Sequence, residues 1–161
     1  MDILDVQLLA LWKCLNQCGV RYIMVGGLAT TLHGFSRTTE DVDIWLEDTP
    51  ANRQCLRAAF NCSGYGDVPA LETMEFIPGW TSFYIAKGIE LDIMTSMKGL
   101  EELTFAECLE QASVADIDGV TIPFLHINQL IANKKAVNRP KDQIDVMELE
   151  KIRKVRESGN K

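Results

Sequence analysis

From Asp5 to Cys18 the apolar residues Val6, Leu8, Leu9, Leu11, Trp12 and Leu15 recur at roughly helical intervals, and Gly19 stops the run. That pattern predicts an amphipathic helix. Tyr22-Ile23-Met24-Val25 is a short unbroken apolar run ended by Gly26-Gly27, which reads as a buried strand feeding a tight turn. Leu28 to His33 predicts a short helix closed by Gly34, and Val42 to Leu46 a second strand. Thr49 is placed to cap a helix that starts at Pro50 and runs to about Phe60.

Turn formers then interrupt residues 61–69, including Gly64 and Gly66. Phe83-Tyr84-Ile85-Ala86 and Ile89 to Met94 predict a hairpin with Lys87-Gly88 near its tip. Leu100 to Gln111 has helical spacing. Val120 to Phe124 predicts a strand at the sheet edge, because Pro123 cannot donate a ladder hydrogen bond. Helices are expected from His126 to Val137 and from Pro140 to Arg156. The expected fold class is α/β (α+β), a small mixed sheet flanked by helices with the C-terminal helices packed on it. One domain spans residues 1–157, and 158–161 form a frayed tail.

The length of 161 residues suits a single domain whose core needs neither disulfides nor a structural metal. A net charge of −7 argues against extended duplex DNA as a partner, since such binding neutralises phosphates with basic side chains. No apolar run is long enough for a membrane span, and the acidic start Met1-Asp2-Ile3-Leu4-Asp5 is unlike a secretion signal, so a cytoplasmic protein is expected. The five cysteines have no zinc-ligand spacing, and reduced, mostly buried thiols are expected of them.

The chemistry concentrates in three acids and two glycines. Asp41 and Asp43 are two apart on a predicted strand and share a face. Two carboxylates so close repel unless a cation lies between them. Asp92 interrupts a second apolar strand, where an unpaired charge is costly. Three carboxylates on neighbouring strands make an oxygen site suited to one or two Mg²⁺ ions. Gly26-Gly27, between strand and helix, lets the backbone approach a ligand while the first helical amides point at an anion. Arg37 and Lys134 are candidate cations for a triphosphate, with a salt bridge from Arg37 to Glu40 or Asp41 as the alternative. Asp142 and Asp145, three apart on one helix face, read as structural. His33 reads as a helix-end or packed polar residue. Trp45 and Trp80 are candidates for stacking on a base or for the core, and Ser96 and Thr95 for substrate contact.

Gly-Gly, then Asp-x-Asp on the next strand, then a single Asp on a later one, resembles the nucleotidyltransferase superfamily typified by DNA polymerase beta. Residues 25–44 and the tail Leu130-Ile131 … Lys134 … Arg139-Pro140-Lys141-Asp142 … Asp145 resemble small bacterial stand-alone members related to the AbiEii toxin family. The resemblance implies Asp41, Asp43 and Asp92 as catalytic metal ligands for Mg²⁺, with Mn²⁺ as a substitute, and Gly26 and Gly27 as phosphate contacts. It implies transfer of a nucleoside monophosphate from an NTP, ATP among the candidates, to a hydroxyl on a protein, an RNA end or a small molecule by a two-metal mechanism. Many active members carry serine where this chain has Gly27, which removes one phosphate hydrogen bond and leaves the amide. That departure motivates the alternative of a non-catalytic nucleotide-binding module or a toxin–antitoxin partner protein on the same fold.

Overall fold

The computed structural model describes residues 2–77, 81–86 and 89–160. Its strands are β1 (Tyr22–Val25), β2 (Asp41–Leu46), β3 (Ser82–Ala86), β4 (Ile89–Met94), β5 (Ser113–Ile117) and β6 (Val120–Phe124). Its helices are α1 (Val6–Gln17), α2 (Gly26–His33), α3 (Pro50–Cys62), α4 (Phe105–Gln111), α5 (Ile127–Val137) and α6 (Pro140–Gly159). The six strands form one mixed sheet in the order β3-β4-β2-β1-β6-β5. β2 runs antiparallel to β1 and parallel to β4.

Helices cover both faces. Tyr22 points to one face, where it stacks on Trp12 of α1, and Phe83 meets Phe60 of α3 on the same side. On the other face Trp45 packs edge-on against Phe105 of α4, and α2, α5 and α6 contact one another there. Trp45 is thus a core residue, while Trp80 and Lys87-Gly88 lie outside the described residues. No helix among the described residues is long and apolar enough to cross a membrane.

The local signals for helix starts work as expected at several points. Thr49 accepts from Asn52 N–H at the head of α3, and His126 Nδ1 accepts from Asn128 N–H at the head of α5. Several expectations need correction. Residues 100–104 form turns, and α4 begins at Phe105 behind a reciprocal Thr104–Glu107 capping box. β6 is interior, because β5, of which only Ile117 is buried, pairs with it and takes the edge. Leu125 N–H donates to Met24 O, and amides two apart on a strand point the same way, so Pro123 faces β1. The β1–β6 ladder accordingly has the single pair Met24–Phe124, which is how the sheet accommodates the proline. α6 also continues past Arg156 to Gly159.

A further correction concerns the thiols. Cys14 and Cys62 are joined in a disulfide, with Cα atoms 5.8 Å apart across 48 residues of sequence. The side-by-side packing of α1 and α3 brings them together. Cys108 is a buried free thiol, and Cys18 and Cys55 are half-buried ones. Closing a loop of that length restricts the unfolded chain by an amount worth about 2–4 kcal/mol. Reduction, or the Cys14→Ser/Cys62→Ser variant, is therefore expected to lower the free energy of unfolding in urea by about that much. An unchanged urea midpoint would show that this bond does not constrain the unfolded chain.

Candidate functional site

The acids come together through strand register. Asp43 of β2 and Asp92 of β4 are direct partners across a parallel ladder, and Val25 of β1 is the partner of Asp43 on the other side. Cross-strand partners in a parallel pair project to the same face, so the two carboxylates are neighbours. Burial first, then the charges of Asp92 and Asp41, push the Asp43 carboxyl up to about 6, while Lys134 and Lys141 pull it the other way. Asp41, partner of Glu90, is exposed at the start of β2.

β1 passes directly into α2 with no intervening turn, which extends the short helix back from Leu28 to Gly26. Gly26 makes this possible with φ +69°, a left-handed conformation that side chains disfavour. It serves a second purpose, since a Cβ there would stand 2.1 Å from Asp43 Oδ2. The carboxylate lies over the bare Cα. No side chain among the described residues caps the N-terminus of α2. At Gly27 a Cβ would come within 2.8 Å of Thr39 Oγ1 and 3.0 Å of Arg37 Nη2. The space that a residue-27 side chain would use is therefore already filled by the loop leading into β2.

A cavity of about 440 Å³ opens at this point, bounded by Val25, Gly26, Asp43 and Asp92 on the sheet side and by Lys134 and Arg139 among the residues opposite. Met94, Met97 and Val137 make part of its wall apolar, and Ser96 is at its rim. Asp41 does not line it. The two cations expected to face a triphosphate are both ion-paired. Arg37 reaches neither Glu40 nor Asp41; its Nε and Nη2 bind Asp145 at 2.8 and 3.0 Å. Lys134 Nζ lies 2.7 Å from the same carboxylate and 3.5 Å from Asp142, which Arg139 also binds. Asp142 and Asp145 are fully buried. Arg139 was missing from the sequence reading as a site residue, though its place at the N-cap of α6, three before an acid, is a legible pairing signal.

His33 is a packed polar residue. Its Nε2–H donates to Leu125 O at 2.8 Å and its Nδ1 faces Arg156 Nη1 at 3.3 Å. Burial leads the effects that lower its pKa, and both ring nitrogens are engaged in the neutral form.

Whether this site suits Mg²⁺ turns on its donors. Among the described residues, no three or more His, Cys, Asp or Glu side chains are gathered into a cluster that could hold a metal ion. What is present is a pair of opposed carboxylates whose mutual repulsion a cation would relieve. Mg²⁺ usually keeps several waters and binds through one or two carboxylates plus substrate phosphates. The residues therefore fit Mg²⁺ carried in by a nucleotide.

The model of the family described as nucleotidyl transferase of unknown function (DUF2204) matches residues 5–160. No curated protein matches the chain.

Proposed function

The chain belongs to that nucleotidyl transferase family, and from this premise we propose that it moves a nucleoside monophosphate from an NTP to a hydroxyl acceptor at the cavity beside Asp43 and Asp92. The observation that carries the proposal is the register of β2 and β4, which opposes these two carboxylates in a cavity that also holds the N-terminus of α2 and Lys134.

Asp43 and Asp92 would hold Mg²⁺ together with the phosphates. Bound there, the ion would neutralise phosphate charge and lower the pKa of the attacking hydroxyl. Asp92 is the residue assigned to the acceptor side. Asp41 contributes its charge from the rim. The free amides at the start of α2 would receive phosphate oxygens, and Lys134 and Arg37 would offset their charge. The chemistry asks for little more than this positioning. The absence of serine at position 27 is the chief reason to consider a module that binds without turnover. That reason weakens once Arg37 and Thr39 are seen to fill the space. The acceptor is a hydroxyl on a protein, an RNA end or a small molecule.

Thermal shift with ATP, GTP, CTP and UTP, each with and without Mg²⁺, tests this reading. A saturating nucleotide at about 100 times its Kd should stabilise the protein by about 2.7 kcal/mol, a Tm rise of about 5–10 °C for this size. The rise should require Mg²⁺ and should vanish in Asp43→Ala/Asp92→Ala, while Mg²⁺ alone does little. Pyrophosphate release should follow the same pattern. A wild type that responds to no NTP, or a variant that responds equally, would overturn the proposal.

A further inference from the structure

We infer that Asp145 is the positioning residue of the phosphate side of the site. One buried carboxylate pairs with both Arg37 and Lys134, holding Arg37 against Gly27 at the start of α2 and Lys134 in the cavity that Gly26 lines. The inference rests on the functional reading above, and it concerns a residue that never touches substrate itself.

The geometry is unusual for a structural ion pair. Asp145 is 0% exposed and is reached by two cations from distant parts of the chain. Arg37 Nη2 donates to Oδ2 at 3.0 Å while its Nε stands 2.8 Å from Oδ1 as an ion-pair contact without hydrogen-bond geometry, and Lys134 Nζ meets Oδ2 at 2.7 Å. One charge-assisted hydrogen bond from each cation to the same oxygen holds the two side chains together. The same Nη2 lies 3.0 Å from where a Gly27 Cβ would be, so the clamp delivers a cation to the head of α2. Lys134 meanwhile lines the cavity that holds Asp43.

A pin between the loop before β2 and α6 would need one cation. Here three cations (Arg37, Lys134 and Arg139) converge on two buried carboxylates, Asp142 and Asp145, and Lys134 and Arg139 also line the cavity that holds Asp43 and Asp92. A cation beside a helix N-terminus is unfavourable until an anion joins it. Cations on one side of the cavity and two acids on the other suit a ligand whose phosphates meet the cations while its Mg²⁺ meets the acids. Asp145 keeps both cations aimed there, whereas unanchored side chains of this length would have to be ordered on binding.

The test measures the affinity of the full chain for inorganic triphosphate and for an NTP, each with Mg²⁺, by calorimetry, alongside the Tm of each variant. Asp145→Asn keeps the shape and removes the charge. It should weaken triphosphate binding roughly 10–100-fold, the scale of one or two charge-assisted contacts. Arg37→Gln should weaken binding in the wild type but add little in the Asp145→Asn background, since the two act as one unit. Arg37→Lys retains the charge without the Nη2 hydrogen bond to Asp145, keeps the buried acid paired where Asp145→Asn fails to fold, and should also bind triphosphate more weakly. Variants that lose Tm but keep wild-type affinity would reduce Asp145 to a structural pin and overturn this inference alone. Wild type that binds neither triphosphate nor NTP would overturn the functional reading, and the inference with it.

Discussion

Asp43→Asn is expected to yield a protein that is more stable than wild type and inactive. Both effects come from the same carboxylate. It is half-buried, directly opposite Asp92 and two residues from Asp41, and its carboxyl is pushed up to about 6 by burial and by those two charges. An ionised group held so far above its ordinary value opposes folding by an amount on the order of 2–3 kcal/mol. The amide keeps the volume and removes the charge, so that cost disappears. The sign with pH follows. The folded state holds the Asp43 proton more tightly than the unfolded chain does, so wild type loses stability as pH rises from the ordinary range near 4 through about 6. The loss is complete above that value. Asp43→Asn should therefore show its largest gain in unfolding free energy at pH 8, roughly half of that gain at pH 5 and little below about pH 4. Transfer should fall on the order of 10²–10³-fold, the usual loss when one preorganised electrostatic contact to the reacting group is removed. A variant that is less stable at pH 8, or that keeps its transfer rate, would mean that this carboxylate is not the charged centre of the site. Loss of activity together with a gain in stability is the signature of a site whose residues were retained for function at the expense of the fold.

What the sequence disclosed and what it hid divide along one physical line. Features written in neighbouring residues were legible. The Tyr22–Val25 run became a central strand, Thr49 and Pro50 began α3, and the Asp-x-Asp alternation placed Asp41 and Asp43 on one face. The sheet partners were not written there. Nothing in Ser113-Val114-Ala115-Asp116-Ile117 announces a strand, because it is a rim strand with only Ile117 buried, and its presence is what moved β6 inward. Contacts between distant residues were equally silent. Cys14 meets Cys62 because two helices lie side by side, and Arg37 meets Asp145 across 108 positions of sequence. Arg37 and Lys134 were picked out for their charge and for their place in the pattern. The buried acids that hold them read from sequence as structural residues on one face of α6, with nothing to link them to Arg37. The capping box at Thr104–Glu107 is a different case, a local signal present in the sequence and passed over in favour of the apolar spacing upstream of it.

Gly26→Ala should be strongly destabilising for two separate reasons, which comparison with Gly19→Ala distinguishes. Both glycines have left-handed φ, +69° and +72°. Around Gly19 nothing lies within 4 Å of an added Cβ, so that variant carries only the backbone cost, about 1–2 kcal/mol. At Gly26 the Cβ would stand 2.1 Å from Asp43 Oδ2 and 2.8 Å from its Cγ. One of them must move, which adds about 1–3 kcal/mol of overpacking. A total loss of roughly 2–5 kcal/mol is expected in urea unfolding. The double-mutant cycle sharpens the test. In an Asp43→Ala background the carboxylate is gone and only the Asp43 Cβ remains, 3.0 Å away, so the cost of Gly26→Ala should fall most of the way to that of Gly19→Ala. Equal costs for the two glycines in wild type would mean that the carboxylate does not lie over the β1–α2 junction. Unequal costs that merge when Asp43 is cut back would tie the strand-to-helix turn and the acid to a single constraint. The glycine is then required by the site as much as by the turn.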